Sequence, residues 1–185
     1  MTTPNIFVSR MGQAEATEIV EAAAEEIFHF SDWCYNDPIW APSMIRKAWI
    51  TRLPGPDGTG KVSHYVGKVV GREMEWDGES ISWRENEFWA MRASTGLPAK
   101  MKMQMDMQFE PLGPHETKVT SKIRYTVPYP LVGWLIDRFY VRREVQQMVT
   151  NAVQGLKKAS INGRIPPVEA QQEKRKEDHP GYLPS

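Results

Sequence analysis

Apolar and polar residues follow two different periods along this chain, and the period changes twice. Apolar residues recur at helical spacing over residues 22–32, which predicts a short helix. Two prolines interrupt residues 33–42, so a second short helix or a turn is predicted there. Residues 44–127 show strand patterns separated by Gly and Pro turns, and residues 130–160 return to helical spacing. The predicted order is a short strand, two short helices, a run of about six strands and one long helix.

The clearest predicted strand lies at residues 99–109, where polar and apolar residues alternate strictly. Because successive side chains of a strand point to opposite faces, its apolar residues share one face: Met101, Met103, Met105, Met107 and Phe109. The next strand, at residues 115–127, adds further side chains to one face: Val119, Ser121, Ile123 and Tyr125. These two strands predict a sheet with one apolar face and one polar face exposed to solvent.

Strands joined by hairpins form an antiparallel sheet, and the apolar face of that sheet needs a cover. The long helix is the only amphipathic element of sufficient length. We therefore predict an α+β fold, with a curved antiparallel sheet of about six to seven strands wrapped around a long C-terminal helix and two short helices after the first strand. Residues 61–76 form either one long strand or two, kinked at Gly67 or Gly71.

The pairing of the methionine strand with the strand before it stays open at this point. If the turn leaves residues 94–98 unpaired, Trp89 and Met91 face Met103 and Met101. A slip of one residue brings in the neighbouring residues Phe88 and Arg92 instead. The sequence does not decide between these registers.

Size and charge narrow the class of protein. The chain has 185 residues with 23 basic and 23 acidic side chains, so its net charge of zero argues against nucleic-acid binding. The single cysteine favours a reducing, cytoplasmic setting. No secretory signal and no apolar run of about 20 residues is present, so we expect a soluble protein without stable membrane insertion. We divide it into an N-terminal arm (1–12), one domain (13–161) and a polar flexible tail (162–185).

The opening segment carries a recognisable pattern of residue types. Residues 19–43 contain an Ala-x-x-Glu-x-Val/Ile-Phe helix followed by an Asp and a Trp-x-Pro, here Ala23, Glu26, Ile27 or Phe28, Asp32, Trp40 and Pro42. Residues 71–95, the turn into a strand at 115–119 and the closing helix from Pro130 continue the pattern. In these features the chain resembles the START-like, polyketide cyclase/dehydrase and lipid-transport superfamily (SRPBCC, helix-grip fold) over residues 13–160.

The resemblance implies a cavity between sheet and long helix that binds hydrophobic small molecules such as lipids, sterols, polyketides or quinones. No catalytic residue is shared across that family, so none is carried over. Methionine is unbranched and polarizable, so the methionine face can adapt to an irregular ligand. The predicted ligand-binding residues are Met101, Met103, Met105, Met107, Phe109, Trp89, Met91, Val119, Ser121, Ile123, Tyr125, Trp40 and Trp134.

Three functions remain open. The first is a carrier, sensor or accessory protein for a hydrophobic small molecule; the second is a cyclase/dehydrase-type enzyme acting on a polyketide-like substrate in the same cavity. The third is a closed-core protein interaction module. A cavity of several hundred Å³ favours the first two, and a titratable group with a shifted pKa at its floor favours the enzyme. Its acid–base candidates are Tyr125, Tyr65, His64, Arg92 and Glu85.

Other chemistries find little support in the sequence. Residues 55–62 nearly match a phosphate-binding loop, but Val62 stands where that motif needs Ser or Thr, and a strand pattern follows where it needs a helix. The four histidines show no metal-ligand spacing, so we predict neither a metal nor another cofactor. Residues 129–141 are apolar nearly all round. They are either buried under the two short helices or form a cavity mouth that contacts a membrane or partner transiently. The sequence leaves the oligomeric state open.

Overall fold

The computed structural model describes residues 10–97, 101–127 and 140–180. Seven strands form one sheet in the order β1-β7-β6-β5-β4-β3-β2, with every neighbouring pair antiparallel. The strands are β1 (Arg10–Val20), β2 (Ile45–Arg52), β3 (Val62–Val69), β4 (Arg72–Arg84), β5 (Phe88–Thr95), β6 (Lys102–Gly113) and β7 (Glu116–Val127). The predicted antiparallel sheet of six to seven strands is confirmed.

Short helices follow the first strand and a long helix follows the sheet, as the periodicity predicts, and one further helix comes after the long one. They are α1 (Ala24–Asp32), a 3-10 turn (Cys34–Asn36), α2 (Asp37–Trp40), α3 (Arg142–Ile161) and α4 (Val168–Asp178). The long helix α3 packs against β1 and β7, and α2 packs against α3. At that crossing Gly155 is required, because a Cβ there would lie 1.6 Å from the Trp40 carbonyl oxygen. Within the described residues, no helix is long and apolar enough to span a membrane.

Helix α3 buries one face, which explains its helical period. Its buried side chains are Val145, Val149, Ala152, Val153, Leu156 and Ala159, with Val141 buried just before the helix. These residues cover the side of the sheet that carries the methionines, so they belong to the same core. The predicted start of the long helix, including Trp134, lies outside the described residues, as does most of the predicted apolar mouth at 129–141.

The turn between β3 and β4 answers the open question about residues 61–76. These residues contain two strands, because the chain reverses at Val70 and Gly71, both with positive φ (49° and 72°). The second strand, β4, continues to Arg84.

Both predicted registers between β5 and β6 are wrong. Trp89 lies opposite Met107 and Met91 lies opposite Met105, so the unpaired turn is longer than the predicted 94–98. The shift is an even number of residues, and it therefore keeps Trp89 and Met91 on the face of the methionines. Sequence periodicity fixes which face a side chain takes, but it does not fix how far along the neighbouring strand it pairs.

The predicted flexible tail from residue 162 differs from the structure, which has helix α4 at Val168–Asp178 packed on α1. Its contacts are polar and partly buried. The side-chain amide of Gln171 donates to the Glu26 carbonyl at 3.0 Å, and Arg175 donates to the His29 carbonyl at 2.5 Å. Because α4 is held by polar contacts and lacks an apolar stripe, hydrophobic periodicity in the sequence does not predict it.

Candidate functional site

A cavity of about 60 Å³ lies inside the domain, bordered by the sheet, the α1–α2 segment and α3. Most of its wall is apolar. The apolar and aromatic side chains are Trp40, Met44, Ile45, Tyr65, Val69, Trp76, Trp89, Ala90, Met91, Ala93, Leu97, Met103, Met105, Ile123 and Met148. The other lining residues are Gly78 and a polar set made of Ser31, Asp32, Asp37, Lys61, Ser63 and Ser80.

The volume is small for the predicted class of ligand. An apolar protein cavity of roughly 150 Å³ binds benzene, so about 60 Å³ as it stands holds less than one aromatic ring. Five methionines line it, however, and their unbranched side chains change shape easily. A larger guest therefore requires these side chains to move.

The polar wall is centred on a buried ion pair between α1 and the start of β3. The Lys61 ammonium donates to Asp32 Oδ1 at 2.6 Å and also to the Asp32 carbonyl oxygen. Burial alone would raise the pKa of Asp32, but the positive charges of Lys61 and Arg175 outweigh burial and lower it. Asp32 is therefore ionised and Lys61 is its direct partner.

Asp37 is the second buried carboxyl group of this wall, and it stands at the beginning of α2. Its Oδ1 accepts a hydrogen bond from the Trp40 indole at 3.1 Å. Burial raises its pKa well above the ordinary value, and the charge of Lys61 and the Trp40 hydrogen bond offset only part of this effect. Burial therefore favours the protonated, neutral form of Asp37.

Tyr65 reaches the cavity from β3. Its ring stacks on Trp76, with centroids 5.3 Å apart and planes 15° apart, and its hydroxyl donates to the Met91 sulfur at 3.1 Å. Burial raises the pKa of Tyr65 well above its ordinary value, so the phenol is neutral. Burial likewise raises the pKa of the neighbouring Cys34 thiol to about 12, so this cysteine is not a thiolate nucleophile.

Helix α4 adds charge behind this wall. The Arg175 guanidinium lies 4.9 Å from the Trp33 ring centroid, and its charge helps to lower the pKa of Asp32. Burial, and then the Arg175 charge, lowers the pKa of His29 to about 4, so His29 is neutral at physiological pH. The docked C-terminal helix is thus coupled electrostatically to the wall of the cavity.

The structure brings only part of the predicted ligand-binding set to the cavity. The predicted residues that line it are Trp40, Trp89, Met91, Met103, Met105 and Ile123. The predicted residues that do not line it are Met101, Met107, Phe109, Val119, Ser121 and Tyr125, and Trp134 lies outside the described residues.

Neighbouring side chains explain the residues that miss the cavity. Phe109 packs edge-on against Phe28 of α1, with ring centroids 5.5 Å apart, and Met107 beside it is fully buried. The Tyr125 ring occupies the space over Gly12, where a Cβ would lie 2.3 Å from it. The methionine face therefore meets a filled core at one end and the cavity at the other.

Most of the predicted acid–base candidates likewise lie away from the cavity. Among them only Tyr65 lines the cavity. Arg92 pairs with Glu79 on an exposed surface, Glu85 is exposed 3.8 Å from the His29 ring, and His64 bonds to Asp77 at 2.7 Å. Tyr125 is buried away from the cavity.

Sequence reasoning missed Asp32, Asp37 and Lys61 as site residues, because it looked for polar site residues only on the predicted strands. These residues lie in the α1–α2 segment and at the mouth of the 54–60 loop. The available signal was two acids set among the aromatic residues of 30–40, in a segment with no other charged residue. Within the described ranges, no group of three His, Cys, Asp or Glu side chains is placed to hold a metal ion.

Asp37→Asn is expected to increase the free energy of unfolding at about pH 7. The raised pKa means that the unfolded chain loses the Asp37 proton from about pH 3.8 upward while the folded chain keeps it, which lowers stability as pH rises. Asparagine has no proton to lose and keeps an oxygen for Trp40. Urea unfolding between about pH 4 and 7 tests this: the gain must shrink toward the acid end. A loss of stability at pH 7 would mean that folded Asp37 is ionised.

Comparisons with known proteins support the fold. No family model and no curated protein matches the sequence. A START superfamily protein from Mycobacterium smegmatis is 20% identical, with a TM-score of 0.59 over 83% of this chain and 96% of that one. The protein TTHA0849 from Thermus thermophilus is 17% identical, with a TM-score of 0.65 over 82% of this chain and 99% of that one.

A norcoclaurine synthase from Thalictrum flavum, in complex with dopamine and hydroxybenzaldehyde, is 14% identical, with a TM-score of 0.60 over 88% of this chain and 95% of that one. These similarities extend over nearly the full length of the solved structures. Together with the seven-stranded antiparallel sheet, the short helices after β1 and the long helix α3, they show that the chain has a START-like helix-grip fold.

Proposed function

We propose that this protein binds a small, mainly apolar molecule in the cavity between the sheet and α3, as a carrier, sensor or accessory protein. The observation that carries the proposal is the composition of the cavity wall and not the cavity volume, which falls short of several hundred Å³: an apolar wall with a few converging polar groups is the usual design of a small-molecule site. The fold similarity supports it, since a norcoclaurine synthase of this fold is found with dopamine and hydroxybenzaldehyde. The predicted cytoplasmic location stays a prediction.

Methionine-methyl NMR with isopropylbenzene as a neutral probe tests this function. Met91, Met103 and Met105 line the cavity, so their methyl signals are expected to shift in a saturable way. Two internal controls are available: Met107 is buried outside the cavity and Met11 is 74% exposed. If no cavity methionine shifts, or if Met11 shifts equally, the protein has a closed core, and the interaction-module hypothesis replaces ligand binding.

An enzyme of cyclase/dehydrase type is the second candidate, and Asp37 is the observation that favours it. A carboxyl group whose pKa is raised by burial can serve as a general acid, and this one lines the cavity together with Tyr65. Both roles use the same cavity. Turnover of a bound carbonyl compound that is lost in Asp37→Asn while binding remains would favour the enzyme.

A further inference from the structure

The chemistry of the polar wall indicates what kind of ligand the cavity selects. Two of its side chains, Tyr65 and Lys61, carry hydrogen-bond donors that the protein itself satisfies only weakly or in part. This inference rests on the proposed binding function and concerns the residues Tyr65, Asp37 and Lys61, which we call the donor wall.

The strong hydrogen-bond donor of Tyr65 is paired with a weak acceptor. Its phenolic hydroxyl donates to the Met91 thioether sulfur at 3.1 Å, and both side chains line the cavity. A thioether accepts hydrogen bonds weakly, whereas a carbonyl oxygen accepts them well. A ligand oxygen that displaces the Met91 sulfur therefore gains a better hydrogen bond than the one it breaks.

Asp37 and Lys61 add further donors. Lys61 has three N–H donors, and the two hydrogen bonds that it makes in the described part of the chain both go to Asp32. It therefore keeps one donor at the cavity wall. Asp37 Oδ1 accepts from Trp40, and within the described residues its other oxygen makes no hydrogen bond. Burial favours the protonated form of this carboxyl group, in which the other oxygen can donate as well.

Two acceptors on this wall already have donors. The Asp32 carboxylate accepts from Lys61, and the Ser31 hydroxyl accepts from the Trp89 indole at 3.2 Å while donating to the Phe28 carbonyl. A ligand that only donates hydrogen bonds would give Tyr65 and Lys61 no better acceptor than the ones they have now.

The charges beside the cavity favour a neutral ligand oxygen over an anionic one. The Lys61 charge is already balanced by Asp32 at 2.6 Å, so a carboxylate ligand would stand next to a buried carboxylate. A neutral oxygen avoids that repulsion. We propose that the donor wall binds the neutral carbonyl oxygen of a ketone or aldehyde whose carbon skeleton occupies the apolar part of the cavity.

Three probes of similar shape test the proposal by methionine-methyl NMR: acetophenone, isopropylbenzene and benzoate. Acetophenone is expected to bind roughly tenfold more tightly than isopropylbenzene, because only the ketone satisfies the buried donors. Benzoate is expected to bind more weakly than acetophenone. Equal affinity for ketone and hydrocarbon, or tightest binding of benzoate, would overturn the donor wall and leave the binding function intact.

Tyr65→Phe removes one donor and keeps the ring on Trp76. It is expected to reduce the preference for acetophenone over isopropylbenzene roughly fivefold, without changing the affinity for isopropylbenzene. Tyr140→Phe is the matched control, since the exposed Tyr140 hydroxyl donates to the Val70 carbonyl at 3.1 Å, away from the cavity. If Tyr65→Phe weakens the binding of both probes equally, Tyr65 contributes packing and no hydrogen bond to the ligand. If none of the probes binds, the proposed function itself fails and the donor wall with it.

Discussion

Lys61→Met is expected to lower the free energy of unfolding by about 3–5 kcal/mol, which is the usual cost of leaving one partner of a buried ion pair alone. Methionine keeps the length of the apolar stem, so the loss reports on the charge. The Asp32 carboxylate then stays buried without the ammonium that lies 2.6 Å away in the native protein. The nearby Arg175 charge offsets part of this cost, which favours the lower end of the range.

The pH dependence of this loss follows from the lowered pKa of Asp32. A carboxyl group with a lowered folded-state pKa stabilises the protein above its unfolded pKa, and this stabilisation disappears as pH falls through the folded value. The deficit of Lys61→Met is therefore expected to shrink in acid, because a protonated Asp32 needs no cation. Urea unfolding at neutral and acidic pH measures both quantities.

Two further variants separate the buried pair from ordinary charge removal. Asp32→Asn combined with Lys61→Met removes both charges and is expected to recover most of the lost stability. Lys157→Met breaks a surface pair with Glu18 (2.8 Å) and is expected to cost less than about 1 kcal/mol. Equal effects of Lys61→Met and Lys157→Met would show that the Asp32–Lys61 pair is not buried as described.

Met103→Trp is expected to abolish binding of isopropylbenzene and acetophenone, with at least a roughly tenfold loss of affinity. Met103 lines the cavity from β6, and the larger indole would occupy the space that a ligand needs. Because the indole replaces empty volume, we expect little loss of stability. Overpacking beyond the cavity would cost about 1–3 kcal/mol.

Met11→Trp is the matched control for this variant, because it adds the same indole to β1 at a position that is 74% exposed. Its probe affinity should equal that of the native protein in the same NMR titration. If Met103→Trp is folded and still binds both probes as the native protein does, the ligand site is not the cavity beneath β6.

The periodicity of apolar and polar side chains is the feature of the sequence from which the fold could be predicted. The alternation at residues 101–109 predicts which face each methionine takes, and Met103, Met105 and Met107 are all buried. On the opposite face the prediction of a wet surface holds less well, because Asp106 is buried through its ion pair with Arg124 (2.6 Å). The alternation within one strand is a local pattern, so it can be recognised without knowing which strands will pair with it.

The composition of the site could be predicted only in part, since packing decides which inward side chains meet empty space. Met105 and Met107 lie on one face of one strand, yet only Met105 borders the cavity. The difference arises from α1, whose Phe28 packs on Phe109 at the Met107 end. Nothing in the alternation of residues 101–109 states where α1 will lie.

The sequence by itself determined the succession of strands and helices and the apolar face of the sheet, because both follow from spacings of a few residues. Only the tertiary structure decided the cavity volume, the strand register, the docking of α4 and the polar wall. Asp32 and Lys61 lie 29 residues apart in the chain and meet only when α1 folds over the start of β3. Their charge states, like that of Asp37, depend on burial and on neighbouring charges, which exist only after the chain has folded.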